Sequence, residues 1–116
     1  MQKVISTDKA PSAIGPYSQA IEINGMVYTS GVIPVIPATG EIAEGGVEAQ
    51  AEQAFKNLCN LVEESGSKVE NIVKTTVFIK EIYKKYFKEP FPARSCVEVA
   101  RLPKDVLLEV EAIAWK

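Results

Sequence analysis

One stretch of this chain restricts its fold more than any other. Residues 47–64 repeat Val47, Ala51, Ala54, Phe55, Leu58, Leu61 and Val62 at helical spacing, while Glu48, Glu52, Gln53, Lys56, Asn60 and Glu63 fill the opposite side. A helix with a single apolar face must lay that face on something, and Ser65-Gly66 is a natural stop after it. The rest of the chain offers short β-branched runs. Strands are expected over 3–6, 17–23, 26–31, 73–81, 95–100 and 107–114, with Asn24-Gly25 as a two-residue hairpin turn. Residues 32–46, broken by Pro34, Pro37 and Gly40, read as irregular. A second, short helix is expected over 82–88 before Pro90 and Pro92 stop it.

The order β-β-β-α-β-α-β-β predicts one α+β domain over residues 1–116, with both helices on one face of a mixed sheet of about six strands. No repeat or linker interrupts it. The helices can cover only one side. Yet Tyr28, Phe78, Leu107, Ile113 and Trp115 fall out of phase with the better apolar rows, which gives the sheet a second apolar face. In a chain of 116 residues that face is expected to close against other copies, so a homo-oligomer is predicted.

Chemistry is narrowed by an absence: the chain has no histidine. That removes Ser–His and Cys–His nucleophiles and most transition-metal sites. Cys59 and Cys96 lack metal-motif spacing and read as two reduced thiols. The formal net charge of −2 does not favour nucleic acid as a partner, and Lys84–Lys85 with Lys88 reads as a solvated helix face. No apolar signal-like region opens the chain and no run is long enough to span a bilayer, so a cytoplasmic protein is expected.

The last two strands hold the suggestive pair. Alternation groups Arg94, Cys96 and Glu98 on one face and Leu107, Glu109, Glu111 and Ile113 on another. Both Arg94 and Glu109 are then expected to project from the side away from the helices. An arginine fork matches a carboxylate, and a nearby glutamate can take a proton or orient water. An interface ion pair between Arg94 and Glu109 or Glu111 explains the spacing equally well. Cys96 reads first as a small buried hydrophobe and only second as a nucleophile. Tyr17 and Ser30 read as ordinary sheet residues. No lysine stands out as a Schiff-base former, and Gly45-Gly46 is a weak anion-site signal.

Residues 91–105, FPARSCVEVARLPKD, with EVEAIA at 109–114, closely resemble the C-terminal signature of the Rid (YjgF-type) family. AIGPYSQ at 13–19, TSG at 29–31 followed by Ile33-Pro34, and VKTTVF at 73–78 resemble its other blocks, in the same order. The resemblance implies a chorismate-mutase-like fold, a homotrimer with clefts between subunits, and hydrolysis of reactive enamines and imines such as 2-aminoacrylate and 2-iminobutyrate to 2-keto acids and ammonia. It implies no metal or organic cofactor. By position, Arg94 would bind the substrate carboxylate and Glu109 would hold or activate water, while Tyr17, Ser30, Gly31 and Cys96 would line the cleft. Two alternatives are a non-catalytic 2-keto acid-binding protein and an RNA-cleaving translation inhibitor. The sequence departs from the family at Val32, where many relatives are polar. It departs again between Glu81 and Phe91, where relatives carry a longer segment that contributes to a cleft wall.

Overall fold

The computed structural model of the chain describes residues 1–79 and 91–116. Strands β1 (Lys3–Ile5), β2 (Ala20–Ile23) and β3 (Met26–Thr29) come first, followed by helix α1 (Gly46–Glu64). Strands β4 (Ile72–Ile79), β5 (Ala93–Glu98) and β6 (Leu108–Trp115) complete one six-stranded sheet in the order β1-β2-β3-β6-β4-β5. All neighbours are antiparallel except β4 and β5, so the sheet is mixed and the domain is α+β as expected. The helix predicted over 82–88 lies outside the described residues.

Local chemistry explains most of these elements. Asn24 and Gly25 both adopt positive φ (51° and 76°), which lets Ile23 pair directly with Met26 in a turn whose twist matches the strands. The helix buries Ala51, Ala54, Leu58, Leu61 and Val62, the predicted stripe, against β6 and β3. Facing it, β6 alternates strictly: Leu108, Val110, Ala112 and Ala114 are buried, whereas Glu109, Glu111 and Ile113 are only partly covered. Fully burying a leucine such as Leu58 stabilises the domain by roughly 1.5–3 kcal/mol. At the end of α1, Ser65 and Ser67 donate their N–H groups to Leu61 and Val62, closing the last turn.

Most strand boundaries shift from the sequence expectation, and three of the shifts have a clear hydrogen-bonding reason. The second strand begins at Ala20 rather than at Tyr17, because Tyr17 turns back and donates its N–H to Gly15. The third ends at Thr29, since the chain bulges there. Tyr28 pairs with Ile113, and the next bridge is Val32 with Val110, so three residues on one side span two on the other. The fifth runs from Ala93 to Glu98, drawn two residues earlier by its parallel pairing with β4.

The side of the sheet away from α1 carries the predicted apolar residues among polar ones such as Glu109, Glu111, Lys74 and Thr76. Tyr28 (44%) and Trp115 (51%) stand exposed on it, with Ile113 and Phe78 partly covered. One expectation about this face is corrected by the register. Phe78 is aligned with both Glu109 and Val97, so Val97 shares the face of Glu109. Thr75, which is fully buried, is aligned with both Ala112 and Arg94, so Arg94 belongs to the row that α1 covers further along the sheet. Arg94 and Glu109 therefore point to opposite faces. Alternation sorts residues into two sets along each strand, but only the pairing between strands says which sets share a face.

Candidate functional site

Two irregular segments, 6–19 and 30–40, pack beside the sheet, and buried side-chain amides shape both. Gln19 is 7% exposed and works in both directions. Its Oε1 accepts from Thr7 N–H (2.7 Å), and its Nε2 donates to the carbonyls of Thr7 (3.0 Å), Pro11 (2.8 Å) and, more weakly, Ala10 (3.4 Å). Asn57, fully buried on the apolar stripe of α1, donates to the carbonyls of Ile33 (3.1 Å) and Val35 (2.7 Å) and accepts from Gln53 (2.8 Å). Neither segment has a sheet ladder, so these amides satisfy backbone groups that would otherwise be buried and unpaired. Sequence reading missed both residues. An asparagine at an apolar position of an amphipathic helix was the available signal for Asn57.

Between these segments lies a cavity of about 510 Å³. Tyr17, Ser30 and Gly31 line it, together with apolar residues such as Val35 and Leu61 and, from the turn before β6, Lys104. Tyr17 and Ser30 are thus not ordinary sheet residues. Tyr17 is half exposed in a loop. Ser30 sits in the bulge, its N–H on Gln19 O (2.9 Å) and its hydroxyl donating to Ser18 O (2.6 Å). The bulge leaves the Gly31 N–H without an acceptor among the described residues.

Glu109 does not line the cavity but packs against Gly31, which does. A Cβ on residue 31 would lie 2.0 Å from Glu109 Oε1 and 2.9 Å from its Cγ, so only glycine admits the carboxylate here. Burial, and secondarily the charge of Glu111 two residues along the same face, hold the Glu109 carboxyl above the ordinary carboxylate range. A half-buried glutamate whose carboxyl is held above its ordinary range is suited to exchange protons with a small ligand.

Arg94 and Cys96 lie elsewhere in the chain. Both are on β5, the edge strand, whose six residues are all exposed. Cys96 is therefore not the buried hydrophobe its residue type suggested, while Cys59 is partly buried in α1 and its thiol is pushed up by that burial. Among the described residues Arg94 makes no ion pair with Glu109 or Glu111, so that explanation of their spacing fails within one chain. By strand spacing and rise, the Arg94 and Glu109 backbones stand about 14 Å apart. No group of three metal-ligating side chains occurs among the described residues, and no helix there is long and apolar enough to cross a membrane.

A mixed six-stranded sheet under one long helix, with a cavity of small-molecule size at a strand bulge, defines the α+β domain. The chain belongs to the Rid family: the family profile described as Endoribonuclease L-PSP matches residues 7–116. The 2-iminobutanoate/2-iminopropanoate deaminase of Salmonella typhimurium is 54% identical to it across 98% of each chain. A RutC family protein of Pasteurella multocida is also 54% identical, over all of this chain and 99% of its own length. That alignment spans 129 positions against 116 residues, leaving 13 positions this chain does not fill. The shortening expected between Glu81 and Phe91 falls on residues outside those described. Among solved structures, the Rid protein YyfA of Yersinia pestis superposes with a TM-score of 0.92 at 48% identity, covering 100% of both chains. TdcF of Escherichia coli, solved with bound serine, gives 0.89 at 48% identity over 98% of each.

Proposed function

We propose that this protein hydrolyses short 2-imino and enamine acids to 2-keto acids and ammonia, without a cofactor, in the cytoplasm. The observation that carries this reading is Glu109, held half-buried and above the ordinary carboxylate range against Gly31, a residue of the cavity lining. A relative named as an imine deaminase at 54% identity, and a neighbour that binds serine, supply the substrate class.

A protonated imine is electrophilic at C2, so the protein need only fix the carboxylate and deliver water. Glu109 accepts a proton as water adds to C2. It then returns that proton to the nitrogen, and as the C–N bond breaks and the C=O bond forms it takes up the proton of the adduct's hydroxyl, releasing ammonia and the 2-keto acid. An enamine enters by protonation of its terminal carbon. Tyr17, Ser30 and Gly31 shape the cleft, and the unpaired Gly31 N–H is available to an oxygen of the ligand.

Arg94 is the anchor for the carboxylate, but not within one chain: about 14 Å of sheet and opposite faces are too much for a four-carbon ligand to bridge. Arg94 and Cys96, open on the sheet edge, would instead complete the cleft of a neighbouring subunit. The exposed Tyr28 and Trp115 on the sheet face away from α1 support such a homotrimer, in which Arg94 of one subunit lies beside Glu109 of the next.

The test generates 2-aminoacrylate or 2-iminobutyrate in situ and follows release of keto acid. Wild-type protein should accelerate it, and Arg94→Ala should abolish the acceleration. Protein that binds 2-keto acids while leaving imine decay unchanged would establish the non-catalytic binding role instead.

A further inference from the structure

Of the described residues lining the cavity, one carries a charge: Lys104. It sits in a strained turn. Lys104 (φ 55°, ψ 23°) and Asp105 (φ 54°) are consecutive side-chain-bearing residues in the left-handed region, which residues other than glycine adopt only under strain. The surroundings enforce this conformation. Pro103 fixes the entry, and Arg101 grips the Asp105 carboxylate at both oxygens (2.8 and 3.3 Å). Directly after the turn, Val106 is fully buried and the Leu107 N–H is held by Gln50 Oε1 (2.8 Å). Strain kept in place by so many contacts, with no packing role for the side chain at its centre, points to what that side chain does.

Lys104 is exposed and forms no ion pair among the described residues, whereas Asp105, its neighbour, is engaged by Arg101. Its ammonium is therefore free for a ligand in the cavity. At about 510 Å³ the space falls within the range of roughly 300–1,000 Å³ that takes ligands well beyond four carbons. With Arg94 assigned to the carboxylate next to the imine, a second cation on the same ligand has another acid to meet.

We propose that Lys104 is a specificity-determining residue that holds a distal carboxylate, so that the cavity favours 2-imino and 2-keto acids whose own side chain ends in an acid. This inference rests on the imine-hydrolase reading, in which the ligand carboxylate is anchored elsewhere. A lysine on a flexible stem suits this role, since it tolerates acids of slightly different reach.

The experiment measures binding of two unreactive keto acids, 2-oxoglutarate and 2-oxobutyrate, by calorimetry at low salt. Wild-type protein should bind the dicarboxylate more tightly. In Lys104→Gln the ratio of the two affinities should fall about fivefold, which is about 1 kcal/mol where a tenfold step is 1.4 kcal/mol. Lys104→Arg should keep the preference, and raised salt should erode it in wild type. Lys104→Asn, whose side chain tolerates the left-handed backbone, repeats the charge removal without adding strain. An unchanged ratio in both neutral variants, or a wild type with no preference for the dicarboxylate, overturns the proposal. Because no turnover is involved, absence of imine hydrolysis would count against the enzymatic reading and leave this result standing.

Discussion

The packed side of this domain and its cavity side are held together by different physics. Under α1, order comes from apolar side chains that interlock with β6: Leu58, Leu61 and Val62 against Val110, Ala112 and Ala114, all at most 3% exposed. Around the cavity, order comes from a few amides. Gln19 and Asn57 bind five carbonyl groups between them, in segments that have no ladder of their own. Apolar packing is non-directional and shared over many contacts, so it tolerates compensation. An amide holding two carbonyls is directional and has no substitute. The cavity wall should thus be the less stable region but the more exactingly positioned one.

Three substitutions sharpen this contrast. Leu58→Ala truncates one of the largest fully buried side chains and should cost about 2–5 kcal/mol, read as a fall in the denaturation midpoint with an unchanged slope. Substrate affinity of the remaining folded protein should be little altered. Asn57→Ala should cost less overall, about 2–3 kcal/mol, because the buried carbonyls of Ile33 and Val35 lose their donor. Its larger signature should be weaker keto acid binding and faster amide exchange confined to the 30–40 segment. If Asn57→Ala lowered global stability as Leu58→Ala does, while leaving ligand binding intact, the contrast between the two regions would be wrong.

Glu109→Gln should have the smallest effect on stability, and in the opposite direction. Folding raises the Glu109 carboxyl above its ordinary value of 4.5, so the ionised form is disfavoured in the native state. At neutral pH the glutamine variant should therefore melt slightly higher than wild type. That advantage should shrink as pH falls through the raised value towards 4.5 and be gone below it. Turnover should show the reverse dependence: wild-type kcat/KM falls on acidification with a midpoint above 4.5, and the variant binds keto acid but does not turn over. Unchanged turnover in the variant would remove Glu109 from the chemistry.

Much of this architecture is legible in the residues alone. The 47–64 stripe named its own buried face, the Asn24-Gly25 turn fixed the first hairpin, and the alternation of residues 108–114 separated the buried row from Glu109 and Glu111. These are local periodicities, set by the geometry of a helix or a strand whatever it packs against. The family blocks likewise singled out Tyr17, Ser30, Gly31 and Glu109; the first three line the cavity, and Glu109 packs against Gly31.

What tertiary structure alone decided is non-local. The parallel register of β5 on β4 put Arg94 in line with Thr75 and Ala112, on the face opposite Glu109, and no periodicity along one strand can state that relation. The bulge that exposes the Gly31 N–H arises from a mismatch between two strands 80 residues apart, not from any motif in either. Asn57 and Gln19 became wall-builders only because carbonyls distant in sequence came within reach of their amides. Sequence determined which surfaces each element carries; the fold determined which of those surfaces meet, because pairing and burial join residues that the chain keeps far apart.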